Sequence, residues 1–229
     1  MVVGNGMLAT AFMKTEGISS DTIIFASGVS NSQETDHREF RRESDLLHSF
    51  LSCGKRVVYF STVSVHDPSL SSSPYIIHKL NIEHLLREHA GDYLIIRLPI
   101  VVGRSNNRHT LTNFLFYSLL SGHHFELYRF ACRYLIDLED VVALVTRLIA
   151  KQPCNQTLDL VLDNRTRVTE IVEVLEHILG TQANYTLVPK GACYQIDNGP
   201  VKHILGTEYF QVDPRAYTYS LLSKYYLNI

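Results

Sequence analysis

Short apolar runs alternate with longer segments whose apolar residues recur at helical spacing through the first half of the chain. Residues 21–26 and 56–60 are compact β-rich runs, as in strands buried on both faces of a sheet. Residues 37–52 carry apolar positions on one face and charge on the other, which predicts an amphipathic helix. A helix over 75–88 and a strand over 93–97 follow. This alternation predicts a parallel sheet with right-handed crossovers.

The second half continues the mixed pattern without repeats, low-complexity tracts or linkers. Gly180 follows the helical pattern of residues 168–179 and is a suitable residue to end a helix, because it adopts a left-handed conformation without steric cost. The other predicted elements are helices over 110–120, 139–151 and 214–226 and strands over 133–136, 157–162 and 185–188.

Composition narrows the class of protein. The chain has 229 residues, 45% hydrophobic and 19% charged, which is enough for one well-cored globular unit. Its net charge of −2 gives no basic excess for nucleic acid or an anionic membrane. We find no apolar run of transmembrane length and no signal peptide. Cys53, Cys132, Cys154 and Cys193 are scattered without a C-x-x-C pair, so we expect four reduced thiols in a cytoplasmic protein.

Charged residues alternate in sign in the first amphipathic helix. Arg38, Arg41 and Arg42 are interleaved with Glu39 and Glu43. This pattern is typical of a solvated helix face with ion pairs between neighbouring turns. A phosphate-binding patch is the alternative interpretation.

Histidine is frequent, with 11 residues in the chain, and raises the question of a metal site. No pair of histidines has ligand spacing with a third ligand nearby, so we predict no metal. His78, beside Lys79, is interpreted as a residue on the surface of its helix.

A glycine turn near the N-terminus suggests a nucleotide. Gly4, Gly6 and Ala9 follow an apolar strand and precede a helical pattern, the context of a dinucleotide-binding fingerprint. Gly4 permits the tight turn, Gly6 allows backbone to approach a pyrophosphate, and Ala9 allows close helix–sheet packing. The alternative is a glycine-rich turn that any α/β fold can contain.

The second half of that fingerprint is missing. An acidic residue about 20 positions after the turn should bind the adenine ribose at the end of the second strand. The next strand here ends in Ser27 and Gly28, and neither Glu16 nor Asp21 is placed for that role. A strand–helix–strand section is therefore absent. The prediction is an α/β fold with a Rossmann-like parallel sheet that lacks its second and third strands, and with the first strand at an edge.

Thr62, Tyr75 and Lys79 form a candidate proton-transfer group. Tyr75 and Lys79 are four residues apart and so share one helix face. An ammonium near a phenol favours phenolate and lowers the phenol pKa from about 10. Tyr75 is then a general acid or base, with the Thr62 hydroxyl at a strand end holding the same substrate oxygen.

The ordered set of motifs resembles the extended short-chain dehydrogenases/reductases, which include nucleotide-sugar epimerases, dehydratases and ketoreductases. The resemblance covers nearly the whole chain, although the family usually has three glycines in its cofactor turn. The segments that carry it are Gly4 to Ala9, Phe60 to His66, Tyr75 with Lys79, Arg97 to Gly103, Arg133 to Val141, Thr157 to Gly180, and Pro189 to Gly191.

This resemblance implies roles for individual residues. Tyr75 transfers the proton, Lys79 binds the nicotinamide ribose and lowers the Tyr75 pKa, and Thr62 orients the sugar oxygen. The implied substrate residues are Arg133 and, more weakly, Lys190 for the diphosphate, and Ser64 and His66 for the sugar pocket. The implied cofactor is NAD or NADP, held by Gly4, Asn5, Gly6, Met7, Leu8, Ser27, Lys79 and Pro99.

The resemblance also divides the chain. Residues 1–103 correspond to a Rossmann-like cofactor core, and residues 104–229 mostly to a small C-terminal α/β substrate lobe, with 131–165 returning to the core sheet. Together they are expected to form one compact unit. The family commonly pairs through two helices, so we expect a homodimer through helices 37–52 and 75–88.

Three functions follow as hypotheses. The first is a nucleotide-sugar epimerase or 4-ketoreductase, which acts on a nucleotide-diphosphate sugar in polysaccharide biosynthesis. Dehydration is disfavoured, because dehydratases have Asp-Glu after the catalytic Thr and this chain has Val63-Ser64. The alternative is a non-catalytic nucleotide-sugar-binding or partner subunit that has lost cofactor binding together with the missing strands. The third hypothesis is a reductase that binds its cofactor in an unusual direction.

Overall fold

The computed structural model describes residues 1–227, in which strands and helices alternate as the hydrophobic pattern predicts. The strands are β1 (Val2–Val3), β2 (Thr22–Phe25), β3 (Arg56–Thr62), β4 (Tyr93–Leu98), β5 (Ile100–Val102), β6 (Phe125–Tyr128), β7 (Cys132–Arg133), β8 (Leu135–Asp137), β9 (Gln156–Asp159), β10 (Thr166–Arg167) and β11 (Tyr185–Val188). The helices are α1 (Met7–Met13), α2 (His37–Leu51), α3 (Pro74–His89), α4 (Leu111–Ser121), α5 (Leu138–Lys151), α6 (Val168–Leu179), α7 (Gly199–Leu205) and α8 (Pro214–Tyr226).

A parallel sheet of five strands, in the order β1-β2-β3-β4-β9, forms the centre of the fold. Successive side chains of a strand point to opposite faces. Val58 and Phe60 therefore pack in one apolar cluster with α1, α5 and α7, whereas Val57 and Tyr59 pack in another with α2 and α3. Because helices cover both faces, the strands are continuous apolar runs instead of alternating ones.

The first strand ends the sheet on one side. β1 pairs with β2, and within residues 1–227 no other strand pairs with it. The predicted shortened Rossmann-like sheet, without its second and third strands, is confirmed. The chain leaves β1 through Gly4 and returns directly in β2, which brings the glycine turn next to the end of β2.

Helix ends explain several boundaries. Asp36 begins α2 and Asp137 begins α5, and each carboxylate accepts a hydrogen bond from a backbone N–H of its own helix. Asp137 also accepts from the hydroxyl of Tyr225 at 2.7 Å and the ammonium of Lys224 at 2.7 Å, so it joins α8 to α5. Gly180 ends α6 with φ of 62°, as predicted.

A second apolar core lies in the C-terminal part of the chain. It contains side chains of α4, α6 and α8 and of the short strands around them. Three two-stranded pairs support it: β5 with β8, β6 with β11, and β7 with β10. The division of the chain near residue 103 stays a prediction.

Some predicted boundaries were wrong. The strand over 133–136 is two strands, because Arg133 pairs antiparallel with β10 while Leu135 pairs parallel with β5. The strand over 157–162 ends at Asp159, although the apolar residues after it remain buried. The pattern also missed β5, β6, β10 and α7, which are at most seven residues long and leave little periodicity to detect.

The cysteine prediction was wrong for one pair. Cys132 and Cys193 form a disulfide across 61 residues, while Cys53 and Cys154 are exposed free cysteines. The pairing arises because the Cys132 N–H donates to the carbonyl of Ala192, which aligns the two segments. Such a contact depends on the tertiary fold and leaves no spacing motif in the sequence.

No helix in the described range 1–227 combines the length and the apolar character needed to cross a membrane.

The turn after β1 generates a test of stability. Gly4 has φ of +124°, and a Cβ there would overlap the backbone carbonyl of Ala26. Gly6 has φ of −76° and open space around its Cβ position. We expect Gly4→Ala to lower the free energy of unfolding by about 1–3 kcal/mol, because strain and overlap add. Gly6→Ala should change it by less than about 0.5 kcal/mol.

Urea unfolding followed by circular dichroism measures both variants. Equal midpoints for Gly4→Ala and the wild type would contradict the close approach of this turn to β2.

Candidate active site

The candidate proton-transfer residues meet at the carboxyl end of β3. Thr62 is the last residue of β3, and its hydroxyl accepts a hydrogen bond from the Ser64 N–H at 3.1 Å. The Thr62 hydroxyl also lies near enough to the phenol of Tyr75 to lower the pKa of that phenol. Pro74 begins α3, a position that suits proline, so Tyr75 lies in the first turn of α3 and Lys79 one turn later. The structure thus brings Thr62, Tyr75 and Lys79 together.

Lys79 is buried and turned toward α2. Its Nζ donates to Glu43 Oε1 at 3.0 Å and to the Tyr59 hydroxyl at 3.0 Å. It also lies 5.8 Å from the centroid of the Tyr75 ring. The ammonium is therefore beside the phenol ring while its hydrogen bonds go to a carboxylate.

Glu43 is the centre of a buried polar cluster. Its side chain is 0% exposed and accepts from the Tyr59 hydroxyl at 2.6 Å and the Val29 N–H at 2.6 Å. His78 Nε2 lies 2.9 Å from the same carboxylate, and Lys79 completes the set. Burying a carboxylate is costly unless donors satisfy it, and here four groups do so.

The expected surface positions of Glu43 and His78 were wrong. Both side chains are buried between α2 and α3, and the His78 ring stacks on Phe40 at 4.6 Å between centroids. A signal was available in the sequence. Glu43 lies three residues after Phe40 and four before Leu47, so it occupies the apolar stripe of α2 and not its charged face.

The cluster sets two pKa values in opposite directions. Burial alone raises the pKa of Glu43, but the charge of Lys79 and hydrogen bonds from His78, Tyr59 and Val29 lower it to about 2. Burial raises the pKa of Tyr75 well above 10, the Glu43 carboxylate raises it further, and the nearby Thr62 hydroxyl opposes this only in part. The expected lowering of the Tyr75 pKa by Lys79 was therefore wrong, because burial raises this pKa and the Glu43 carboxylate lies against the ammonium.

A second cluster of charged side chains lies at the carboxyl ends of β3, β4 and β9. Glu83 is buried and accepts from Ser61, Arg87 and Arg97, with the Arg97 Nη2 at 2.7 Å. His66 Nε2 lies 3.0 Å from both carboxylate oxygens of Asp159. His66 is exposed and Ser64 half-buried, both in the short 3-10 turn that follows Thr62.

Arg133 faces this turn from the C-terminal part of the chain. Its Nη1 lies 3.6 Å from the buried carboxylate of Asp67 and donates to the Cys132 carbonyl at 2.7 Å. The Tyr194 phenol lies near Arg133 and Ser64, and burial raises its pKa while these two groups lower it. The disulfide joins the residues that directly precede Arg133 and Tyr194, so it fixes both side chains relative to each other.

Lys190 lies apart from these groups. It is exposed and donates to Glu126 at 3.0 Å, and its Nζ is 5.7 Å from the ring centroid of Tyr128. Within residues 1–227, no hydrogen bond or ion pair joins its side chain to Arg133 or to the carboxyl end of β3.

The residues proposed for a dinucleotide surround the turn after β1. Gly4, exposed Asn5 and Gly6 form the turn, and Gly6 directly precedes α1. Leu8 packs in the core and Met7 places its sulfur against Gly103. Ser27, which follows β2, accepts a hydrogen bond from Arg42. Pro99 connects β4 to β5.

This geometry fits a dinucleotide in one specific respect. The turn approaches β2 so closely that only glycine fits at position 4, whereas the space beside Gly6 is open. An open backbone at the start of a helix is where a pyrophosphate is bound in such folds.

Comparisons with known proteins agree with this arrangement. The model of the NAD dependent epimerase/dehydratase family matches residues 16–160, which is more than half of the chain and begins after the glycine turn. A search of curated proteins gives no match.

Several solved structures share the fold. RMD from Pseudomonas aeruginosa, complexed with NADPH, is 14% identical with a TM-score of 0.69, covering 91% of this chain and 82% of that one. DesIV, a dTDP-glucose 4,6-dehydratase from Streptomyces venezuelae, is 20% identical with a TM-score of 0.70, covering 89% and 73%. A UDP-glucuronic acid 4-epimerase from Bacillus cereus is 16% identical with a TM-score of 0.69, covering 95% and 77%. The family model and the shared fold together lead to one assignment: the chain belongs to the NAD-dependent epimerase/dehydratase family.

Proposed function

We propose that the protein is a nucleotide-sugar epimerase or 4-ketoreductase of the extended short-chain dehydrogenase/reductase type. The observation that carries this proposal is the placement of Tyr75 beside the Thr62 hydroxyl at the carboxyl end of β3, with the Lys79 ammonium 5.8 Å from the Tyr75 ring. A phenol and a hydroxyl that lie side by side can both reach one substrate oxygen, which suits proton exchange with that oxygen.

In this proposal Tyr75 moves the proton and Thr62 orients the oxygen that receives or gives it. A nicotinamide cofactor, NAD or NADP, supplies the hydride chemistry when bound. The residues that would hold it are Gly4, Asn5, Gly6, Met7 and Leu8 around the turn, together with Ser27, Lys79 and Pro99. Lys79 has three N–H groups, of which Glu43 and Tyr59 accept two.

The proposed substrate is a nucleotide-diphosphate sugar. MoeE5, a similar structure at 18% identity, is a complex with UDP-glucose and NAD. Arg133 is the candidate diphosphate ligand, since a guanidinium matches phosphate oxygens in bidentate geometry. Ser64 and His66 would line the sugar pocket, and Lys190 remains a weaker candidate because it is paired with Glu126.

The site favours epimerisation or reduction over dehydration. The two residues after Thr62 are Val63, which is buried, and Ser64, which carries no titratable group at physiological pH. Elimination of water needs further acid–base groups beside the Tyr, and these positions do not supply them.

A homodimer through α2 and α3 stays a prediction, as do a cytoplasmic location and a role in polysaccharide biosynthesis. Ile77 and Leu80 are exposed apolar residues on α3, which is consistent with pairing through that helix. The rival function is a nucleotide-sugar-binding or partner subunit without catalysis, and the missing second and third strands favour it. Cofactor binding separates the two.

Cofactor binding is the first prediction of this proposal. We expect calorimetric titration to give micromolar binding of NAD⁺ with NADH or of NADP⁺ with NADPH. Gly6→Val should weaken that binding at least about tenfold, because its side chain fills the open space where the pyrophosphate approaches. Calorimetry suits this chain because it has no Trp for quenching assays.

Gly91→Val, the same substitution at an exposed glycine with open space around its Cβ position, is the matched control and should bind like the wild type. Binding of none of the four dinucleotides at millimolar concentration would reject the redox function and favour the binding subunit.

Proton transfer is the second prediction. Tyr75→Phe removes the phenolic hydroxyl and should lower turnover of nucleotide sugars by about 10²–10⁴-fold, the range typical of general acid–base groups. Dinucleotide affinity and the circular dichroism spectrum should stay unchanged. Tyr219→Phe, at an exposed position on α8, is the control. Turnover of Tyr75→Phe at the wild-type rate would exclude Tyr75 as the proton-transfer residue.

A further inference from the structure

Glu43 and Lys79 form an ion pair that water does not reach. Their side chains are 0% and 3% exposed, and the Nζ–Oε1 distance is 3.0 Å. Charges in such an environment interact strongly, because solvent does not screen them. The pair is therefore close to electrically neutral when seen from a neighbouring group.

The loop after β2 packs directly against this ion pair. Gly28 lies so close that a Cβ there would meet Lys79 Nζ at 2.7 Å and Glu43 Oε1 at 3.0 Å. The next residue, Val29, donates its backbone N–H to Glu43 at 2.6 Å. A side chain at position 28 would displace one of the two charged groups, so the loop after β2 closes directly over the ion pair.

The Tyr75 ring lies 5.8 Å from the Lys79 ammonium, and the Glu43 carboxylate is near enough to raise the pKa of Tyr75 through its charge. An ammonium stabilises a phenolate only to the extent that no anion offsets it, and Glu43 offsets Lys79 at hydrogen-bonding distance. Burial penalises the phenolate as well. Both effects favour the neutral phenol, which gives a proton and cannot take one.

We propose that Glu43 is a positioning residue that neutralises Lys79 and keeps Tyr75 a phenol, so that the site donates a proton to a substrate carbonyl and works as a ketoreductase. This rests on the function proposed above and selects one of its two reactions. Epimerisation begins with removal of a hydroxyl proton, which needs a phenolate.

The reduction balances in atoms and charge. The carbonyl carbon gains a hydride from NADH or NADPH, which becomes NAD⁺ or NADP⁺, and the electron pair of the C=O π bond moves to the oxygen. That oxygen takes the proton of Tyr75, so the carbonyl becomes an alcohol. The resulting phenolate regains a proton from water.

The titratable and charged groups that face Tyr75 and Glu43 come from three elements. α2 contributes Glu43 itself, β3 contributes Tyr59, and α3 contributes Tyr75, His78 and Lys79. Glu83, one turn beyond Lys79, is held by arginines and Ser61. A variant of one of these groups changes the charge at Tyr75 in a known direction.

Acid stability gives one check on the paired state of Glu43. The folded pKa of Glu43 lies near 2, below its ordinary value of 4.5, so its contribution to stability is present above pH 4.5 and is lost as the pH falls toward 2. Urea midpoints between these pH values should fall less steeply for Glu43→Gln than for the wild type. Glu39→Gln should retain the wild-type slope.

The decisive experiment measures phenolate formation at Tyr75 in the cofactor-free protein. All near-ultraviolet phenolate absorbance comes from the 13 tyrosines, since the chain has no Trp. Subtracting the pH titration of each variant's Tyr75→Phe counterpart isolates Tyr75. We expect Glu43→Gln to shift its phenolate formation to lower pH by about one unit or more, and Lys79→Met to shift it to higher pH.

The double variant Glu43→Gln/Lys79→Met removes both charges and should titrate near the wild type. It also keeps the experiment informative if an unpaired charge prevents folding of a single variant. A Tyr75 titration that is the same in the wild type, Glu43→Gln and Lys79→Met, or a double variant that titrates far from the wild type, would overturn the inference.

An activity measurement separates this inference from the proposed function. In Glu43→Gln the pH above which carbonyl reduction declines should fall by about one unit or more, since the phenol that donates the proton ionises at lower pH. The predicted titration shift without any turnover of nucleotide 4-keto sugars would overturn the proposed function and leave the role of Glu43 in setting the pKa of Tyr75. Turnover with an unchanged pH profile would overturn the inference and leave the function.

Discussion

The site depends on one buried carboxylate. Glu43 receives hydrogen bonds from the loop after β2, from β3 and from α3, while its own backbone belongs to α2. Four segments that are distant in sequence therefore meet at two oxygen atoms. The cost of burying this charge is offset only when all its donors are in place, which ties the position of Lys79 and Tyr75 to the packing of α2 against α3.

The shortened sheet shows which parts of a dinucleotide fold are independent of one another. β2, β3 and β4 are buried on both faces, and the candidate proton-transfer residues lie at the carboxyl end of β3. The strands that are absent lie beyond β1, on the far side from these residues. The geometry around Thr62 and Tyr75 therefore persists, while the edge of the sheet at β1 retains only the glycine turn and the end of β2.

Sequence patterns predicted the sheet, the longer helices and the meeting of Thr62, Tyr75 and Lys79, because these follow from periodicity and from a motif on consecutive elements. They did not predict the environment of Tyr75. Glu43 belongs to an alternating series of charges, and only its place between Phe40 and Leu47 on the apolar stripe marks it as buried. The Cys132–Cys193 bond was missed for a related reason, since it joins segments that only the folded chain aligns.

The disulfide also affects how the molecule unfolds. The covalent loop closed by Cys132 and Cys193 runs across 61 residues and contains β9, which is a member of the central sheet, as well as α6 of the second core. A loop that threads both cores prevents the C-terminal part from separating as an independent unit without disturbing the sheet. We therefore expect the two cores to unfold together, because loosening of the segment around Arg133 and Tyr194 would reach β4 through its neighbour β9.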